Sequence, residues 1–156
     1  MADLSCTYTY ATSGGTITFN QGDLGDGTDK YWIQKVNGLD GAAIRAPIDN
    51  VPFGDGSLKH SWWKAGRRPL LEGVLLVESV APADCQEALN TMEANFVAAV
   101  ESNINTSATL SWTPVGQGAK SLTVYYLGEP PLEFPPMENF RTRQFILGLF
   151  STAANI

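Results

Sequence analysis

The sequence predicts a mainly β protein of the α+β class: short strands joined by turns, with one α-helix lying on the sheet they form. Three observations carry that expectation. Fifteen glycines and nine prolines in 156 residues suit short strands joined by turns better than a helical bundle. Apolar residues recur at every second position through several short runs, the period of a half-buried strand. Only the stretch from Ala81 to Asn103 carries apolar residues at three- and four-residue spacing, the period of a helix. The length suffices for a single domain with one real core, spanning residues 1–156.

The elements follow in order. Leu4 to Tyr10 alternates Leu4, Cys6, Tyr8 and Tyr10 against Ser5, Thr7 and Thr9, and Thr16 to Asn20 alternates in the same way. With Ser13-Gly14-Gly15 as the turn, the two runs read as a hairpin. Gly22 to Asp29 holds too much glycine for regular structure. Lys30 to Val36 is a strand with Tyr31 and Trp32 on opposite faces, and Ala42 to Ala46 reads as a short one. Pro47 to Arg68, punctuated by Pro47, Pro52, Gly54, Gly56 and Gly66, is expected to be the longest irregular region; loops of that length in a small domain usually have a function or a partner. Pro69 to Ser79 is a long strand.

The helix from Ala81 to Asn103 has Pro82 in its first turn and Asp84 and Glu87 near its positive end. Leu89, Met92, Phe96 and Val100 share one face. Their burial contributes on the order of 6–12 kcal/mol, an upper bound because the unfolded chain is already partly compact. Ala108 to Trp112 and Ser121 to Leu127 are strands, Pro130 to Pro136 is a proline-rich connection, and Asn139 to Phe150 is the last strand. There Phe140, Thr142, Gln144, Ile146, Gly148 and Phe150 face one way, and Arg141, Arg143, Phe145, Leu147 and Leu149 the other. Its late positions are apolar on both faces, so a partner subunit is expected to cover one of them.

Composition narrows the function. The net charge is −6, from 16 acids against 10 bases, with no basic block, which disfavours direct nucleic-acid recognition. The opening residues lack the charged and apolar regions of a secretory signal, and no apolar run reaches the roughly 20 residues of a membrane helix. A protein made in the cytoplasm and staying out of the membrane is expected. Cys6 and Cys85 read as two buried thiols, with nothing demanding a disulfide.

No catalytic or cofactor chemistry is expected. The single histidine, His60, lies beside Ser57 and Ser61 without a nucleophile elbow. One histidine and two distant cysteines cannot build a zinc site. Asp23, Asp26 and Asp29 in one glycine-rich loop, and Asp49 and Asp55 in another, raise calcium as a question, but their spacing is not that of an EF-hand. No glycine-rich phosphate loop links a strand to a helix. Of the four tryptophans, Trp32 and Trp112 sit in strands and are expected in the core. Trp62 and Trp63 form a contiguous pair in the long loop. They read as interface anchors in preference to sugar-stacking platforms, with Arg67 and Arg68 beside them to meet acids across a contact.

The order of these features resembles a known family. Leu39-Asp40-Gly41 and Ile44-Arg45 precede a Gly54-Asp55-Gly56-Ser57-Leu58 turn. An arginine-led strand follows, Arg67-Arg68-Pro69-Leu70-Leu71-Glu72-Gly73, then a single helix with Leu89 and Met92. The chain closes on Arg141-Thr142-Arg143-Gln144-Phe145-Ile146-Leu147. From Ile33 to Phe150 this is similar to the N-terminal, ring-forming domain of siphophage distal tail proteins. The resemblance implies a tail-tube-like fold, a β-sandwich or partly closed barrel flanked by one α-helix, and a structural role in the virion tail without a reaction: a hexameric ring joining the tail tube to the tip hub of a long-tailed, non-contractile bacteriophage. It implies as partners other copies of the chain, the tail tube protein, and the tip hub or tape-measure protein. Many family members carry a C-terminal accessory domain; with Ile156 six residues after Phe150, none is expected here. A tail-tube or other tail ring protein, and a monomeric carbohydrate-binding β-sandwich using Trp62 and Trp63, remain as alternatives.

Overall fold

The computed structural model describes residues 4–39, 44–45, 48–50, 57–59, 63–64, 66–137 and 139–152, and between 44 and 64 it describes backbone pairing alone. The first hairpin joins β1 (Tyr8–Thr12) to β2 (Gly15–Phe19), with Thr12 opposite Gly15 across a two-residue turn. β1 begins later than the alternation suggests. Leu4 is exposed, and regular pairing starts only where β9 (Ala108–Trp112) lies alongside, with Tyr8 opposite Trp112. β10 (Lys120–Val124) pairs with β9 on its far side.

The second half of the sheet is built from β3 (Lys30–Asn37), β8 (Leu70–Leu76) and β11 (Thr142–Gly148), all antiparallel, with β8 between the other two. One parallel register pair, Phe19 with Tyr31, links the halves. The order across the seven-stranded sheet is β10-β9-β1-β2-β3-β8-β11. Its two outer strands then meet. Just beyond β10 and β11, Tyr125 and Phe150 exchange backbone hydrogen bonds of 2.7 and 2.8 Å. That bridge turns the sheet into a partly closed barrel, one of the two forms the family resemblance implies, and leaves less strand edge unpaired.

A 3-10 turn at Pro82–Asp84 leads into α1 (Cys85–Glu101). Its buried residues are Cys85, Leu89, Met92, Phe96, Ala99 and Val100, the stripe its periodicity predicts. It packs against β1, β2 and β8. Phe96 is the hub of the core: its ring lies 6.0 Å from Phe19, 5.7 Å from Tyr31, 5.8 Å from Phe134 and 5.2 Å from Phe145. The helix end is fastened by Asn103, which is fully buried. Its side-chain amide donates to the carbonyls of Thr106 and Val124, and its Oδ1 accepts from the Tyr10 hydroxyl at 2.6 Å. Burial pushes the Tyr10 pKa far above the usual phenol range, with Tyr126 adding to the shift, so this hydroxyl stays a donor at any working pH. Cys6 and Cys85 are buried thiols, as expected.

Several expectations are corrected. Trp32 is half-buried on the outer face. Tyr31, its neighbour on β3, takes the inward place against Phe96, and period two then sends Trp32 outward. Trp112, by contrast, is in the core as expected, stacked on Tyr8 at 5.8 Å. The last strand is covered largely by the chain itself. Phe145, Leu147 and Leu149 point into the core. On the free side of β11 the proline-rich segment acts as an edge strap: Glu133 and Ile146 exchange backbone hydrogen bonds of 3.2 and 3.0 Å, and Gln144 donates to the Pro135 carbonyl. Leu132 and Phe134 of the strap pack on the core. At Gly148 any Cβ would stand 2.6 Å from the Pro130 ring, so glycine is what lets the strap lie so close.

Gly73 has a comparable role inside the sheet. β3 bulges between Ile33 and Lys35 where it faces this residue, and a Cβ on Gly73 would fall 2.0 Å from the Trp32 carbonyl oxygen. The bulge needs a strand position without a side chain opposite it.

Candidate assembly surface

The connection from β3 to β8 was expected to be irregular from Pro47 to Arg68. It contains instead a narrow two-stranded ribbon. β4 (Ile44–Arg45) pairs antiparallel with β7 (Trp63–Lys64), and β5 (Ile48–Asn50) with β6 (Ser57–Lys59). The β3–β8 pairing, which ends with Asn37 opposite Leu70, resumes with Ile44 opposite Lys64 and again with Ile48 opposite Lys59. The described pairs thus keep the antiparallel order of β3 and β8 in two short two-stranded sheets, together called the arm. The short strand expected over Ala42 to Ala46 contains β4; β5, β6 and β7 were missed because each is only two or three residues long, too short for alternation to register. Pro47 and Pro52 pointed the same way.

The root of the arm is firmly held. The Arg67 backbone exchanges two 2.9 Å hydrogen bonds with Ser151, and its guanidinium Nη1 donates to the Leu39 carbonyl at 2.7 Å. Arg67 is only 8% exposed, so it serves the chain's own fold at this point. Arg68 is exposed and lies over the Phe150 ring, 5.5 Å from its centroid. Gly38 has φ +82°, and a Cβ there would meet the Arg68 carbonyl at 2.2 Å. Trp63 stands in β7 opposite Arg45. Trp62, His60 and Asp55 lie outside the described residues. Of the predicted site residues, then, Trp63, Arg67 and Arg68 fall on one strand-to-root segment.

Charge separates the arm from the rest. Five of the ten Lys and Arg residues, but only two of the sixteen acids, lie between 44 and 68. The arm is thus basic and the remainder of the chain acidic.

At the opposite end of β3 the glycine-rich loop is tightly organised. Lys30 is 3% exposed. Its ammonium contacts Asp26 Oδ1, donates to Thr28 Oγ1 at 2.8 Å and to the Thr28 carbonyl at 3.0 Å, and lies 3.6 Å from Glu78 Oε2. Burial alone would lower the lysine pKa; the hydrogen bond and charge of Asp26, and then Glu78, outweigh it and hold the pKa above the usual value. The Lys30 hydrogen bond, with those from Thr28, holds the Asp26 carboxyl far below the usual carboxylate range. The Gly25 amide is the main cause lowering Glu78, followed by Gly27 and the Lys30 charge. Among the described residues no group of three or more His, Cys, Asp or Glu is placed to hold a metal ion.

These shifts fix a pH window. Both carboxyls have folded pKa values below their unfolded ones, so their contribution is fully present above about pH 4–5 and is lost as pH falls through the folded values. Amide exchange at Gly25 and Gly27 is expected to stay protected from pH 7 down to pH 5 and to rise only in strong acid. Loss of protection already between pH 7 and 6 would contradict the arrangement.

No helix among the described residues is long and apolar enough to cross a membrane. No protein-family model matches the sequence, and no curated protein matches it. A search of solved structures matches the SPP1 Dit protein, described as a paradigm of the hub adsorption apparatus in phages that infect Gram-positive hosts. The TM-score is 0.60 at 10% sequence identity, over 94% of this chain and 50% of that one. The chain thus spans about half the length of the structure it matches. In fold, this chain resembles a siphophage distal tail protein.

Proposed function

We propose that the protein is a structural component of a phage tail tip that assembles into a closed hexameric ring between the tail tube and the tip hub, without catalytic activity or a cofactor. The observation that carries this reading is the match to a distal tail protein over nearly the whole described barrel. The β-arm adds to it. Charged oppositely to the body, it suits a head-to-tail contact, the kind that closes into a ring when the rotation allows. Residues 1–156 act as one ring-forming unit, with the tube protein and the hub or tape-measure protein as neighbours and the virion tail as the site of action. Trp62, Trp63 and Arg68 make the contact with the next copy, while Arg67 fixes the root from which they project.

Mass photometry of the purified chain, alone and with a tail-tip partner, is the test. A population at six times the chain mass is expected. Open filaments would favour a tube protein, and a monomer at every concentration and with every partner would sink the ring.

A further inference from the structure

We propose that Lys30 is a built-in cation: its ammonium takes the place that a divalent metal ion occupies in acidic, glycine-rich loops, so that the 22–29 loop holds its shape without metal. The argument is independent of the tail-ring reading.

The groups around the ammonium are a carboxylate oxygen of Asp26, the hydroxyl and the carbonyl of Thr28, and a carboxylate oxygen of Glu78. Carboxylate, carbonyl and hydroxyl oxygens converging from a short loop, with one carboxylate from a distant strand end, form the type of donor set that calcium selects. Here the ligand is the chain's own side chain, 1% exposed. The backbone is shaped accordingly. Gly22, Gly25 and Gly27 all have φ between +75° and +87°, a conformation that glycine adopts at no steric cost. It turns the Gly25 and Gly27 amides onto the two oxygens of Glu78, at 2.9 and 3.1 Å. In return, Asp29 Oδ1 accepts from the amides of Glu78 and Ser79 at 3.0 and 3.1 Å. The loop and the end of β8 thus clamp each other through two carboxylates, and Lys30 supplies the positive charge that makes gathering Asp26 and Glu78 favourable. Without it, two carboxylates would face one another with no counter-charge.

The cage has access to solvent. A groove of about 510 Å³, lined among others by Gln21, Gly22, Asp26, Thr28, Asp29 and Lys30, opens beside it. A metal ion could therefore enter and complete its shell with water if the lysine were gone. The clamp also has a consequence at the surface. It holds the turn that carries Leu24, an apolar residue 58% exposed.

The test is amide exchange at Gly25 and Gly27 in the full chain, in chelator and in millimolar calcium, with calcium titration calorimetry alongside. The wild type is expected to show the same protection in both buffers and no stoichiometric calcium binding. Lys30→Met should lose protection at both glycines by at least about tenfold in chelator, the size of one charge-assisted hydrogen bond, and recover it in calcium with a one-to-one binding isotherm. Stoichiometric calcium on the wild type, unchanged protection in Lys30→Met, or a loss that calcium does not restore would each overturn the proposal. If Lys30→Met does not fold in chelator, folding in calcium becomes the readout. If it folds in neither buffer, the wild type decides: equal protection in both buffers with no calcium bound supports the proposal, and protection that rises with calcium, or stoichiometric binding, refutes it.

Discussion

Phe96→Ala is expected to destabilise the fold by about 3–5 kcal/mol, the cost of removing a fully buried phenylalanine and leaving its cavity. The upper part of that range is expected because the lost ring joins several elements at once. It touches Phe19 on β2, Tyr31 on β3, Phe145 on β11 and Phe134 on the strap. Aromatic pairs contribute beyond their buried area, and rings fixed from separate strands cannot all close onto one gap. Stabilities of single domains lie at about 5–15 kcal/mol, so this one change removes a large fraction of the whole. Equilibrium denaturation of the monomer at low concentration measures it. A shift below about 1 kcal/mol would mean that the strap and helix repack around the gap, and that Phe96 is not the hub its contacts make it.

Phe96 also marks how far the sequence could be read. Its place on the apolar stripe of the helix follows from spacing alone, and so do its neighbours Leu89, Met92 and Val100, because a helix repeats its contacts within a few residues. That Phe134 would be its partner is not legible in the same way. Pro135 and Pro136 follow it directly, and the segment reads as a connection. Its pairing with β11 depends on Gly148, whose missing side chain leaves room for Pro130. Lys30 gives no local signal either. In a strand next to an acidic loop it reads as a solvated cation; its burial depends on Glu78, far along the chain, which the loop glycines draw in. Trp32 shows the limit of residue type as a guide, since the large ring lies outward for no reason but the phase of its strand. The barrel closure at Tyr125 and Phe150 rests on two backbone groups, which no side-chain pattern announces. For the strap, for Lys30 and for the Tyr125–Phe150 bridge, what could not be read is a long-range contact between positions that look ordinary one at a time.

Trp63→Ala and Trp62→Ala are each expected to weaken ring assembly by about 2 kcal/mol or more per interface, the usual cost of truncating a hot-spot tryptophan. That corresponds to a loss of about thirtyfold in association at each contact, and a closed ring repeats the contact at every interface, so the ring population should nearly vanish at concentrations where the wild type is complete. The argument rests on the arm. A two-stranded ribbon is marginal in water by itself, and this one bears two adjacent tryptophans and a surplus of positive charge. Docking on an acidic neighbour would cover the aromatic rings and satisfy the charge together. Arg68→Glu should then slow association and make it less sensitive to salt, because a charge at the rim of a contact acts mainly on encounter. Arg67→Ala should behave differently. Its guanidinium is bonded to the Leu39 carbonyl inside the chain, so the loss should appear in monomer stability as well as in assembly. Circular dichroism of the monomer separates the two classes: unchanged for the tryptophan and Arg68 variants, and a lowered transition for Arg67→Ala. If both tryptophan variants form rings as the wild type does, the arm is not the anchor. If they unfold the monomer, the two rings belong to the core of their own chain.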